Sequence, residues 1–232
     1  MQTDLGSGIF WFVAFLFSTT VHEAMHAFVA WRLGDPTAYN GGQVSLSPVP
    51  HVRREPIGML VLPLLTSVTQ GWAIGWASAP YDPVWAERYP TRAALMAAAG
   101  PCGNFLIALV SYLVMFAGLN ADVFAAPDRA NFETIIVGMS GDPTFVTTLL
   151  SVLLIQNVFL GCFNLLPLPP LDGSAVLPAA LSEAAAYRLR QLWANPMMSL
   201  VGLIVAWQVF PLVTGPLFSL MLRLVHPDAV YS

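Results

Sequence analysis

The sequence predicts an all-α polytopic membrane protein, and three observations carry that expectation. Of its 232 residues, 56% are hydrophobic and only 9% are charged, against about 25% charged in a soluble domain. Mean hydropathy is +0.67. About five apolar stretches, near residues 9–33, 57–78, 93–118, 145–168 and 197–222, approach or reach the ~20 residues a helix needs to cross a ~30 Å hydrocarbon core. The net charge of −4 is spread thinly and suggests no nucleic-acid partner. The length fits a single membrane-embedded domain over residues 1–232, with no inter-helix loop long enough for an inserted folded domain.

The first stretch carries Trp11 and Trp31 near its ends, about 30 Å apart on a helix, so the two rings mark both interfaces. The preceding MQTDLGSG lacks the basic start of a signal peptide, and no small-residue cleavage site follows. This segment is therefore expected to stay in the mature chain. Residues 35–56, DPTAYNGGQVSLSPVPHVRREP, read as a short β-hairpin at the membrane surface, with Gly41-Gly42 turning the chain and Val44 and Leu46 alternating. The stretch 57–78 has a polar middle at Ser67, Thr69 and Gln70 and is interrupted by Pro63, Gly71 and Gly75. It either crosses or enters and leaves on one side, which is tolerated where protein buries the backbone. The 119–143 loop is acidic and irregular. Cys102 and Cys162 lie in apolar runs and are expected as buried free thiols.

All nine basic residues are arginine, and they discriminate between the two paths for 57–78. If that stretch crosses, the arginines split four to five. If it re-enters, Arg32, Arg53, Arg54, Arg88, Arg92, Arg188 and Arg190 share one side and only Arg129 and Arg223 face the other. The positive-inside bias favours re-entry, an external N-terminus and a cytoplasmic 34–56 segment. It also makes the 93–118 helix antiparallel to the first.

The chemistry gathers inside FLFSTTVHEAMHAFVAWRLG, residues 15–34. Ionisable groups at the middle of a span cost roughly 2.5–3.5 kcal/mol each on insertion scales, so His22, Glu23 and His26 need a reason to be there. Residues i and i+4 share a helix face, so His22 and His26 can aim two imidazole nitrogens at one metal ion. Glu23, about 100° around, can serve as a general base beside it. The alternative is a pair of core histidines with Glu23 bonded to a neighbouring helix. Haem ligation is excluded, because axial ligands must face each other across a ring. A catalytic zinc takes three protein ligands and keeps one position open. The candidates for the third are Asp172, Glu183, His51, Cys102 and Cys162. Asp172 stands out in NLLPLPPLDGSAV, where Pro167, Pro169 and Pro170 break the helix and Gly173 permits close backbone approach. Its alternative role is to cap the following helix. In AAAGPCGNF, residues 97–105, small residues let helices approach closely and Asn104 brings an amide inside. That amide serves either a helix–helix hydrogen bond or a substrate carbonyl oxygen. Gln156, Asn157 and Asn164 raise the same question. His51 and His226, near loops, read as surface histidines.

Together HEAMH, AGPCGN and NLLPLPPLDG resemble the site-2 protease family of intramembrane zinc metalloproteases, in its short prokaryotic form without PDZ or CBS domain. AFVAWRLGDP and GWASAP are similar to that form too, so the likeness covers most of residues 15–176. The resemblance implies one zinc held by His22, His26 and Asp172, with Glu23 as base and Asn104 assisting catalysis. It implies a multi-pass protein of a prokaryotic plasma membrane that cleaves transmembrane segments of other membrane proteins. The rival readings are a membrane metal-ion transporter and a catalytically inactive scaffold. From the few residues between His26 and Trp31, the metal is expected roughly 10 Å below the cytoplasmic interface.

Overall fold

A computed structural model describes residues 5–227; the start of the MQTDLGSG segment, Met1 to Asp4, lies outside them. The first helix, α1 (Leu5–Arg32), contains no proline. It keeps buried hydroxyls satisfied by bonding them back to the preceding turn: Thr19 Oγ1 and Thr20 Oγ1 donate to the carbonyls of Phe15 and Leu16 at 2.7 Å. Next come two short helices, α2 (Thr37–Asn40) and α3 (Pro48–Arg54). A π-helical turn (Ile57–Val61) then runs into α4 (Leu62–Gln70). The helix α5 (Pro83–Arg88) precedes the long α6 (Pro90–Asn120). Two-residue strands β1 (Phe124–Ala125) and β2 (Val137–Gly138) pair antiparallel, with Phe124 opposite Gly138. Last come α7 (Phe145–Asn164), the single turn α8 (Gly173–Val176), a 3-10 turn at Leu177–Ala180, α9 (Glu183–Trp193) and α10 (Pro196–Val225).

Helix starts follow local chemistry. Asp82 caps α5 and Asn195 caps α10, each accepting from the backbone N–H two residues on and each followed by proline at the first helical position. Thr144 and Thr147 form a reciprocal capping box at α7.

Among the described residues, four helices are long and apolar enough to cross a membrane: Gly6–Arg32, Pro90–Asn120, Phe145–Asn164 and Pro196–Val225. The stretch 57–78 does not cross. Its helix ends at Gly71, which adopts the left-handed conformation (φ +78°) that glycine accommodates without strain. The chain then returns extended, and Trp76 N–H donates to the Gly58 carbonyl at 3.1 Å. At the base, Ser78 Oγ donates to Glu55 Oε1 at 2.7 Å and Arg54 Nε donates to the Ser78 carbonyl at 3.1 Å. The segment enters and leaves at one end of the bundle, the path that the arginine distribution favours.

Antiparallel α6 packs on α1, with Arg92 donating to the Leu33 carbonyl at one end (3.0 Å). A Cβ at Gly103 would sit 2.9 Å from Met25 Cγ, so glycine sets that spacing. Parallel to α1 runs α7, with Asn157 Nδ2 donating to Ser18 Oγ at 2.8 Å and Phe145 beside Phe10. Helix α10 leans on α7 through Phe210, against Phe159 and Phe163. Seven arginines therefore gather at one end of the bundle, and Arg129 and Arg223 lie at the other.

Three expectations need correction. Residues 35–56 form α2 and α3 rather than a hairpin. Asp35 Oδ1 accepts from Thr37 N–H and Oγ1–H, Gly42 turns the chain (φ +73°), and Ser47-Pro48 starts α3; capping chemistry overrides the brief Val44/Leu46 alternation. The strand pair lies instead in the 119–143 loop, where Ile135, Ile136 and Val137 are buried under α7 and α10. His51 and His226 are buried, not surface, residues, and their Nε2 atoms pair with the carbonyls of Ser45 and Ile135. Both cysteines are free thiols, but Cys102 is exposed on the outside of α6 and Cys162 is only half-buried.

Candidate metal centre

His22 and His26 face α6 one turn apart, both buried. The Nδ1 of His22 lies 2.6 Å from Asn104 Oδ1, and the Nδ1 of His26 lies 2.8 Å from the Met96 carbonyl. Both partners only accept, so each Nδ1 carries the hydrogen and each Nε2 presents a lone pair. Those two Nε2 atoms are 2.9 Å apart. Asp172 brings Oδ2 to 3.1 Å from His22 Nε2 and Oδ1 to 3.4 Å from His26 Nε2. Three acceptors thus converge on one point in a buried place, an arrangement that a proton or a metal cation between them relieves. Tetrahedral zinc with donors at ~2.0–2.1 Å spaces them about 3.3 Å apart, close to the three distances found. The donor set fits zinc.

Two further features make room. A Cβ at Gly100 would fall on His26 Nε2 and at 2.5 Å from His22 Nε2, so this glycine leaves the hollow in front of the donors. One at Gly173 would collide with the carbonyl oxygens of Leu165 and Leu166, so glycine there lets the Asp172 turn close against the end of α7. Asp172 stands at the N-cap position of α8, yet its side chain makes no capping bond. Its carboxylate is directed at the histidines instead.

Glu23 is 4% exposed, and its Oε2 is buried with no hydrogen-bond partner. A carboxylate oxygen of Glu23 lies within 4.8 Å of a ring nitrogen of His22 and of one of His26. Asn104 is fully buried, and its amide is spent inside the bundle. Oδ1 accepts from His22, while Nδ2 donates to Asn157 Oδ1 at 2.9 Å and lies 3.5 Å from the Ser18 carbonyl. Of the two roles read from sequence, the geometry supplies the helix–helix bond, with the orientation of His22 added to it. Asn164 Nδ2 donates to the Leu160 carbonyl at 3.0 Å. Glu183, another third-ligand candidate, begins the exposed face of α9 and is not in the cluster. Sequence reasoning did not find Met96, whose contribution is a carbonyl and leaves no side-chain signal. It also missed Ser18, whose hydroxyl holds Asn157.

Fold and site together define a polytopic membrane protein with a candidate metal centre between its first spanning helix, α6 and the turn after α7. The chain belongs to Peptidase family M50, whose model matches residues 10–209, in agreement with the motifs. It is 31% identical over 168 residues to the protein named "Putative zinc metalloprotease YwhC" of Bacillus subtilis, covering 71% of this chain and 66% of the relative. It is 30% identical over 170 residues to the "Putative zinc metalloprotease Rip2" of Mycolicibacterium smegmatis, covering 72% and 55%. The Rip2 of Mycobacterium tuberculosis is 31% identical over 175 residues, covering 74% and 58%. The matches thus span between about half and two thirds of these relatives' own length. No solved structure matches the chain.

Proposed function

We propose that this protein is an intramembrane zinc endopeptidase of a prokaryotic plasma membrane, acting as one domain on peptide bonds in the transmembrane segments of other membrane proteins. One observation carries the reading: three buried acceptors converge on a point beside a buried carboxylate that has no partner. Zinc bound there by His22, His26 and Asp172 supplies Lewis-acid polarisation of a carbonyl and a lowered pKa for water. Glu23 Oε2 takes the proton of the attacking water and returns it to the leaving amine, the work its unpaired oxygen is free to do. Asn104 holds the hydrogen of His22 on Nδ1 and so keeps Nε2 available. A helical substrate hides its carbonyls in its own hydrogen bonds and must open locally. The extended return segment after Gly71 offers a backbone edge against which an opened strand pairs. A transporter would string its donors along a path, whereas these meet at one point.

The test is a comparison of membrane-protein fragments from cells carrying wild type and Glu23→Gln. Fragments that depend on Glu23, together with about one zinc per chain in both purified proteins, are the expected result. Undiminished cleavage by Glu23→Gln would sink the mechanism.

A further inference from the structure

A chain of buried hydrogen bonds leads away from the candidate metal centre, from His22 on α1 to Asn104 on α6 and on to Asn157 on α7. It ends on the carbonyl of Leu153, one turn earlier in α7, and its three links measure 2.6, 2.9 and 2.9 Å. Asn104 and Asn157 are 0% exposed, and so is Ser18, whose Oγ also accepts from Asn157 Nδ2 at 2.8 Å. A side-chain amide can present either its oxygen or its nitrogen to a neighbour, whereas a backbone carbonyl can only accept. The Leu153 carbonyl therefore gives the whole chain its direction. Asn157 turns Nδ2 towards it, which leaves Oδ1 for Asn104. Asn104 answers with Nδ2, which leaves its own Oδ1 for His22. His22 then carries its hydrogen on Nδ1 and keeps a lone pair on Nε2. Turning Asn157 over would set oxygen against oxygen at one of its contacts and nitrogen against nitrogen at the other, a double mismatch that burial makes costly.

We infer that Asn157 is a positioning residue for the metal centre: it passes the polarity of the Leu153 carbonyl through Asn104 to His22 and so holds the imidazole in the tautomer that exposes Nε2. Asn157 touches none of the three donors and acts through Asn104. The Ser18 carbonyl favours the same orientation of Asn104, but from 3.5 Å, too far for a strong hydrogen bond. Asn157 Oδ1, at 2.9 Å, carries most of the discrimination. A purely structural Asn157 would pin α7 to α1 through Nδ2 and Ser18 and would have no need of Oδ1. His26 provides the contrast. Its Nδ1 bonds directly to the Met96 carbonyl, an acceptor that cannot reverse, so its tautomer needs no relay. The inference rests on the metal-binding part of the reading above.

The experiment uses the full chain in phosphatidylcholine nanodiscs and measures zinc affinity by competition with a chromogenic chelator. Asn157→Leu should weaken zinc binding about tenfold, the lower end of the usual loss on removing a supporting group. In an Asn104→Ala background the same substitution should cost nothing further, because the relay is already cut and the two effects cannot add. A merely structural residue would weaken binding equally in both backgrounds. The second measurement follows the ring hydrogens in protein labelled with nitrogen-15 histidine, with and without zinc, the His22 signals being assigned by their loss in His22→Ala. In Asn157→Leu the His22 Nδ1 hydrogen should exchange with solvent faster than in wild type, while that of His26 keeps its rate. Unchanged zinc affinity in Asn157→Leu, additive losses in the double variant, or equal acceleration at both histidines would overturn the inference. Thermal melting checks the fold of each variant, and Asn157→Ala replaces Asn157→Leu if the latter does not fold. A wild type that takes up no zinc counts against the metal-binding reading, and hydrogen exchange in the zinc-free protein then decides the relay by itself.

Discussion

His22 and His26 hold two nitrogen lone pairs 2.9 Å apart with an aspartate facing both, so the groups behind them matter as much as the donors. Asn104→Ala removes the acceptor that fixes the His22 tautomer, and zinc affinity should fall about 10- to 100-fold, the usual loss on removing such a supporting group. Competition with a chromogenic chelator measures it. Asp172→Ala and His22→Ala should each lower zinc occupancy, because each deletes one of the three proposed ligands. Full occupancy in Asp172→Ala would require another residue to close the site. Gly100→Ala should abolish zinc binding while α6 still forms, since alanine favours a helix but its methyl group occupies the hollow in front of both Nε2 atoms. A far-ultraviolet circular dichroism spectrum unchanged from wild type separates that outcome from misfolding.

At the scale of elements, the re-entrant segment depends on backbone contact across its neck. Gly75 lies against the Gly58 carbonyl, and an added Cβ would also meet Phe15 and Pro63 at 2.6 Å. Gly75→Val should therefore force the return strand away, at about 1–3 kcal/mol, the usual cost of overpacking. Thermal melting in detergent reads the loss, and a melting temperature equal to wild type would show that the neck opens freely. The sequence displayed the interruptions at Pro63, Gly71 and Gly75 and the polar middle, but not which polar group each partner would find. In the structure Thr66 Oγ1 accepts from Ile74 N–H at 2.9 Å, closing the tip. The misplaced hairpin has the same origin. Alternation over four residues is weaker than the caps at Asp35 and Ser47, and the burial of Ile135–Val137 depends on helices remote in sequence.

For the whole molecule, the arrangement predicts sidedness. Single cysteines introduced at Tyr39, Asp82 and Asp128, after replacement of Cys102 and Cys162, should react with an impermeant thiol reagent in intact cells only at Asp128. Tyr39 and Asp82 lie at the arginine-rich end, near the Asp35–Asp82 hydrogen bond (2.9 Å), and should stay protected. Labelling at Asp82 with protection at Tyr39 would place the re-entrant segment across the membrane instead. Zinc held by the proposed ligands would tie α1 to the turn after α7, so stripping it with a chelator should lower the melting temperature. At zinc a hundredfold above its dissociation constant, the difference corresponds to about 2.7 kcal/mol.

By itself the sequence determined the environment, the apolar segments and the candidates for the reacting groups. Hydropathy sets the first two, because a lipid solvent leaves a backbone few alternatives to helices. The third follows from i, i+4 spacing within one helix, which is local geometry. Tertiary structure alone decided that Asp172 turns away from its cap position to face the histidines, that Asn104 orients His22, and that Gln156 Oε1 is buried without a partner. Each of these depends on where a distant helix lies, at a precision of tenths of an ångström, and hydrogen bonding at that precision is a property of the packed bundle.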